Sequence, residues 1–191
     1  GLMRWTYFGD SYDIVKRALL GWLRPLGEWH VQPLFTDDVS DAQANAFARF
    51  LGANLVQPFT ARTRAERDAA AAACRGIGNV LLDPDTGVIL ASTGGAVRST
   101  HISAETLRAL CVASPRHVVA SFDQALRREA PEDSLRSKVA WLAERDIPAM
   151  AYRSHASFVF CSADTDRITE AIRLLVAAGL PEWRIVRAEP R

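Results

Sequence analysis

Apolar positions along the chain fall into short continuous runs, separated by longer stretches in which they recur every three to four residues. That alternation predicts buried strands and amphipathic helices in turn. The run from Arg4 to Phe8 is aromatic and branched, stops at Gly9-Asp10, and predicts a first strand. Ser11 can cap the helix that follows. Val15, Ala18, Leu19, Trp22 and Leu23 predict its inner face, with Asp13, Lys16 and Arg17 outside, and Pro25 and Gly27 mark its end. Trp29–Phe35 predicts a second strand, edged by Pro33. Two capping boxes, Ser40 with Gln43 and Thr63 with Glu66, open two helices that Gly52 and Gly76 can close.

Asn79–Leu82 predicts a fully buried third strand, with a brief extended piece over Val88–Ala91. Ser103 caps a helix with Ile102 and Leu107 as its hydrophobic staple. His117–Phe122 predicts a strand, Ser134–Arg145 a helix, and Ala149–Arg153 with Ser157–Ser162 a pair of strands. Asp164 or Thr165 caps a last helix striped by Ile168, Ala171, Ile172, Leu175 and Val176, and Trp183–Val186 is one more extended run. Strands that alternate with helices imply a mostly parallel sheet covered on both faces. The expected fold is a three-layer Rossmann-like α/β sandwich, one domain over residues 3–191, with an antiparallel C-terminal hairpin at its edge. Gly1-Leu2 ahead of Met3 reads as a cloning remnant.

Composition narrows the partners rather than the fold. The chain has 191 residues, 49% hydrophobic and 24% charged, with 23 Lys+Arg against 22 Asp+Glu and a net charge of +1. No global field pulls it onto nucleic acid or anionic lipid, so such a partner must meet a local patch. No apolar run approaches a membrane span, and no signal-peptide pattern opens the chain. Cys74, Cys111 and Cys161 lie far apart without CxxC spacing, as expected of reduced thiols in a cytoplasmic protein. Only Lys16 and Lys138 are lysines, against 21 arginines, so a lysine is unusual here. Arginines cluster at Arg62, Arg64, Arg67 and Arg75, and again at Arg127, Arg128 and Arg136, as solvated faces or phosphate contacts.

In open α/β sheets the site lies at the carboxyl ends of the strands. Here four predicted ends are acidic: Asp10, then Asp37 and Asp38, then Asp83 and Asp85, then Asp123. Asp10, Asp83 and Asp85 are therefore candidate ligands for Mg²⁺ or Mn²⁺, which take oxygen donors. Lys16, three residues after Asp13, forms either an ordinary surface pair with it or a contact to a phosphate or to the acidic cluster. Asp83-Pro84-Asp85-Thr86-Gly87 also reads as a plain turn.

Three resemblances follow from these residues. Tyr7-Phe8-Gly9-Asp10-Ser11 resembles the first block of GDSL/SGNH esterases, with Ser11 as nucleophile. The Asp-x-x-His of that family is missing, so only His101 or His155 can serve as base. The expected order of helix, strand, helix and terminal hairpin resembles the second half of a Rossmann-like methyltransferase core. Asp83-Pro84 stands where amino-methyltransferases carry the residue that accepts the target amine, which implies S-adenosylmethionine as cofactor, although no glycine-rich turn follows the first strand. Gly9-Asp10, Asp13, Lys16 and Leu19-Leu20, with Thr36-Asp37-Asp38 and Asp83-Pro84-Asp85-Thr86-Gly87, resemble a group of uncharacterised bacterial and phage proteins with GD-x-x-D-x-x-K-x-x-LL and DPDNG motifs. In that group an Arg follows the fourth strand, as Arg127 does here after Asp123.

The expectation is a metal-dependent enzyme acting on a phosphate-bearing substrate, a nucleic acid or nucleotide. Asp10, Lys16, Asp83 and Asp85 are its catalytic candidates, and Ser11, Asp13, Asp123 and Arg127 its substrate-binding ones. The alternatives are a methyltransferase relative, active or decayed, a non-catalytic interaction module, and a serine esterase.

Overall fold

A computed structural model describes residues 5–90, 100–124 and 131–189. Arg4, Ala91, Arg127 and Arg128 lie outside the described residues. The elements in chain order are α1 (Ser11–Trp22), β1 (Trp29–Gln32), α2 (Asp41–Leu51), β2 (Asn54–Leu55), α3 (Arg64–Ala73), β3 (Asn79–Leu82), β4 (Gly87–Ile89) and β5 (His101–Ser103). They continue with α4 (Ala104–Ala113), β6 (Val119–Phe122), α5 (Pro131–Ala143), β7 (Ala149–Tyr152), β8 (Phe158–Cys161), α6 (Thr165–Ala177) and β9 (Ile185–Arg187). Seven strands form one sheet in the order β2-β1-β3-β6-β8-β7-β9. The pairs from β2 through β6 are parallel, while β8 runs antiparallel to both β6 and β7. β4 and β5 pair in a small parallel sheet of their own.

Period-two alternation along the strands builds the two cores. In β3, Leu81 faces one layer of apolar side chains with Leu19, Phe47 and Ile168 from α1, α2 and α6. Val80 and Leu82 face the other layer, with Ala70, Leu107 and Val139 from α3, α4 and α5. The three-layer Rossmann-like α/β sandwich is therefore the fold, and no described helix is long and apolar enough to cross a membrane.

Four of the local signals for helix starts are borne out, while Asp10 rather than Ser11 caps α1. Ser40 and Thr63 make reciprocal capping boxes, Gly52 ends α2 in the left-handed region, and Ser103 and Asp164 cap α4 and α6. Three expectations need correction. Residues 5–7 of the predicted first strand form a 3-10 turn, because Trp5 and Phe8 stack on each other at 4.6 Å and Phe8 packs against Phe47 and Phe50. A three-residue spacing brings side chains together on such a turn, not on a strand. The sheet thus begins at Trp29, and Pro33 ends that strand before Phe35. Finally, the C-terminal hairpin does not lie at the edge: β8 inserts between β6 and β7, and β9 takes the edge beyond β7.

Candidate functional site

The site grows from the start of α1. Asp10 is the helix N-cap, its Oδ1 accepting from the N–H groups of Tyr12 and Asp13 at 2.9 and 3.1 Å. Asp13 reaches back so that Oδ2 accepts from Gly9 N–H at 2.8 Å, and its Oδ1 accepts from Lys16 Nζ at 2.9 Å. The inner stripe of α1 is Asp13, Lys16, Leu19 and Leu20, continued by Leu23, while Trp22 is 39% exposed. The helix is thus rotated from the purely apolar face expected. The reason lies across the interface.

Leu81 points at the α1 layer, and two residues on Asp83 does the same. Its N–H donates to Gln32 O at 3.0 Å, which extends the β1–β3 ladder by one bond and holds the carboxylate against the sheet. Lys16 Nζ meets Asp83 Oδ2 at 2.8 Å, with side-chain exposures of 5% and 0%. The same ammonium lies 5.2 Å from the ring centre of Phe122 and 5.7 Å from that of Phe47. Lys16 is therefore a buried bridge between α1 and the end of β3, and the surface-pair reading of Asp13 with Lys16 gives way to it.

Burial pushes the Asp83 carboxyl up to about 6, against the opposing pull of Lys16, and the charges of Asp13 and Asp85 push the same way. Burial also works against the Lys16 ammonium, but Asp83 and Asp13 outweigh it and hold the proton on. The two directions agree physically. One ammonium faces several carboxylates, so the ammonium stays charged and Asp83 is the group that titrates. Its Oδ1 is buried and has no hydrogen-bond partner among the described residues.

These groups floor a cleft of about 200 Å³ at the carboxyl ends of β1, β3 and β6. Its walls are aromatic, from Trp5, Phe8, Tyr12, Phe35, Phe47 and Phe122. Among the described residues, Asp10, Asp13, Asp83 and Asp85 line it against the single cation Lys16, so their contribution is electronegative. Asp85 is nearly buried and accepts from Thr36 Oγ1 at 3.2 Å, while Gln124 Nε2 donates to Tyr12 Oη at 3.2 Å across the rim.

The structure brings Asp10, Asp13, Lys16, Asp83 and Asp85 to one cleft. The described residues hold no group of three His, Cys, Asp or Glu side chains placed to bind a metal ion. Asp10 caps a helix instead of ending a strand, and the Lys16 ammonium sits where Asp13 and Asp83 would share a cation. Ser11 is the exposed first residue of α1, does not line the cleft, and leaves the capping to Asp10. His155 packs against Tyr12.

Asp123 falls on the opposite face. It shares the parity of Val119 and Ser121, facing α5, where its Oδ2 pairs with Lys138 Nζ at 2.6 Å and its Oδ1 accepts from Val88 N–H at 3.0 Å. Both lysines of the chain are therefore buried partners of strand-end aspartates, one on each face. The scarcity of lysine was the signal for Lys138. The aromatic walls carried no such signal, since Phe47 and Phe122 obey the same spacing as any core residue.

Comparison of the chain with models of known protein families, with curated protein sequences and with solved structures finds no match in any of the three.

Proposed function

We propose that the cleft binds a nucleobase, carried by a nucleotide or nucleic acid, with Asp83 accepting a hydrogen bond from an amino group of the base. The observation that carries this reading is the buried Oδ1 of Asp83, without a described partner, at the floor of an aromatic-walled cleft. A buried carboxylate oxygen gains most from a donor that fills the space beside it. Aromatic rings supply stacking surface for the plane of a base. Four carboxylates against one ammonium repel a phosphate, so the phosphate of such a substrate stays outside the cleft. A divalent cation has less support, because the Lys16 ammonium already occupies the position between Asp13 and Asp83. Three buried free thiols fit a reducing, cytoplasmic setting.

Binding of adenosine, cytidine, uridine and ribose 5-phosphate, followed by ligand-observed NMR, tests the reading. Adenosine or cytidine should bind in preference to uridine, and Asp83→Asn should erase the preference. Equal binding of ribose 5-phosphate, or no binding of any nucleoside at millimolar concentration, would refute it.

Methyl transfer to that amino group is a second reading, favoured by Asp83-Pro84 at the end of β3 and by the hairpin that follows β6. The segment after β1, Pro33–Asp38, contains no glycine, which leaves the usual turn for S-adenosylmethionine unformed. Calorimetry with S-adenosylmethionine decides: absent heat at high protein concentration removes it.

A further inference from the structure

The face of the sheet opposite the cleft carries the reverse polarity. Two cavities lie along the seam between α3 and α4, one of about 200 Å³ and one of about 80 Å³. Asp68, Ala71 and Thr106 line both, so the two form one continuous furrow. Arg64, Arg67 and Arg75 line it, against the single acid Asp68. Arg64 and Arg75 are exposed, while Arg67 is buried in the wall at 4% exposure. The Arg64–Asp68 pair is loose, at 3.9 Å, with both side chains largely in solvent. Such a pair is worth little and is readily exchanged for a better anion.

Spacing gives the furrow its shape. Arg64, Asp68 and Ala71 stand at intervals of four and three residues on one face of α3, and Arg75 follows in the turn after its end at Ala73. The two exposed arginines therefore stand at opposite ends of the furrow. Ala71, Ala72 and Ala109 keep the floor low between the two helices, and the hydroxyl-bearing residues Ser103 and Thr106 line the α4 side. A low floor rimmed by guanidinium groups accepts a chain of anions rather than a single ion. Arginine forks match phosphate oxygens in two-point contacts.

From this geometry we infer that the α3–α4 furrow binds the phosphodiester backbone of a single nucleic-acid strand. It contacts only the backbone, so it is indifferent to base identity, which separates it from the cleft. The assignment shares with the nucleobase reading only the class of partner. It also makes the natural substrate a polymer rather than a free nucleotide.

Fluorescence anisotropy with a labelled oligo(dT), about 15 nucleotides long, tests the furrow apart from the cleft. Thymine has no exocyclic amino group, so failure of the Asp83 contact does not affect this probe. The intact chain should bind with a steep salt dependence. The double variant Arg64→Ala/Arg75→Ala should lower the slope of log K against log salt by about 1.4 and weaken binding on the order of tenfold at low salt. Arg173→Ala, on α6 across the sheet, should leave both quantities unchanged. Absent binding by the intact chain, an unchanged slope in the double variant, or an equal loss in Arg173→Ala would overturn the inference. Poly-glutamate bound as tightly, with the same sensitivity to Arg64 and Arg75, would overturn the assignment to nucleic acid.

Discussion

Lys16→Met isolates the contribution of the bridge between α1 and β3. Methionine keeps most of the unbranched stem and places a polarisable sulfur against the Phe47 and Phe122 rings, so packing loss is small. What disappears is the charge that faces Asp13 at 2.9 Å and Asp83 at 2.8 Å. Both pairs are buried, with side-chain exposures of 7% or less, so solvent offers no substitute for the lost ammonium. Breaking a buried pair from one side costs about 3–5 kcal/mol, because the remaining carboxylate keeps its desolvation penalty without its partner. For a domain of this length that is a fall in Tm of roughly 6–20 °C. Urea unfolding followed by tryptophan fluorescence at pH 8 measures it. Adding Asp83→Asn to Lys16→Met removes one stranded charge and should restore part of the loss, with a coupling of about 1–3 kcal/mol. A loss under about 1 kcal/mol at pH 8, or strictly additive single substitutions, would refute the bridge as a stabilising contact.

Two further outcomes follow from the same geometry. Asp83 has a folded value of about 6 against an ordinary 3.8, so between these values the folded state holds a proton that the unfolded state releases. Its contribution to stability therefore falls as pH rises from about 4 to about 6; Asp83→Asn should remove that slope in pH-dependent urea midpoints, and an unchanged profile would count against Asp83 as the titrating group. Gly87 sits at φ +131°, and a Cβ there would lie 2.2 Å from Asp123 Oδ1 and 2.9 Å from its Cα. Gly87→Ala should cost about 2–4 kcal/mol in chemical unfolding, and a neutral result would mean that β4 can shift away from Asp123.

Gly87 also shows why the Asp83–Gly87 motif divides into separate roles. Asp83 floors the cleft, Asp85 meets Thr36, and Gly87 lets the β4 backbone approach Asp123 on the opposite face. A turn signal predicts the bend, but not which neighbour each residue meets.

Local physics was legible along the chain. The capping boxes at Ser40 and Thr63, the cap at Ser103 and the buried run Asn79–Leu82 involve partners within a few residues or a burial pattern of period two. They determined the helix starts, most strands and the layered α/β class. The acidic strand ends and the rarity of lysine likewise pointed to Asp83 and Lys16. Tertiary structure alone decided the rest. The aromatic run near the N-terminus had strand-like residues, yet Trp5 stacks on Phe8 and residues 5–7 form a turn. Asp83 and Asp123, at the ends of adjacent strands, fell on opposite faces because they differ in strand parity and register. Lys16, already paired with Asp13, met Asp83 across 67 residues of sequence. A contact over that separation is set by the docking of α1 on the sheet, where burying the ammonium requires carboxylates on both sides.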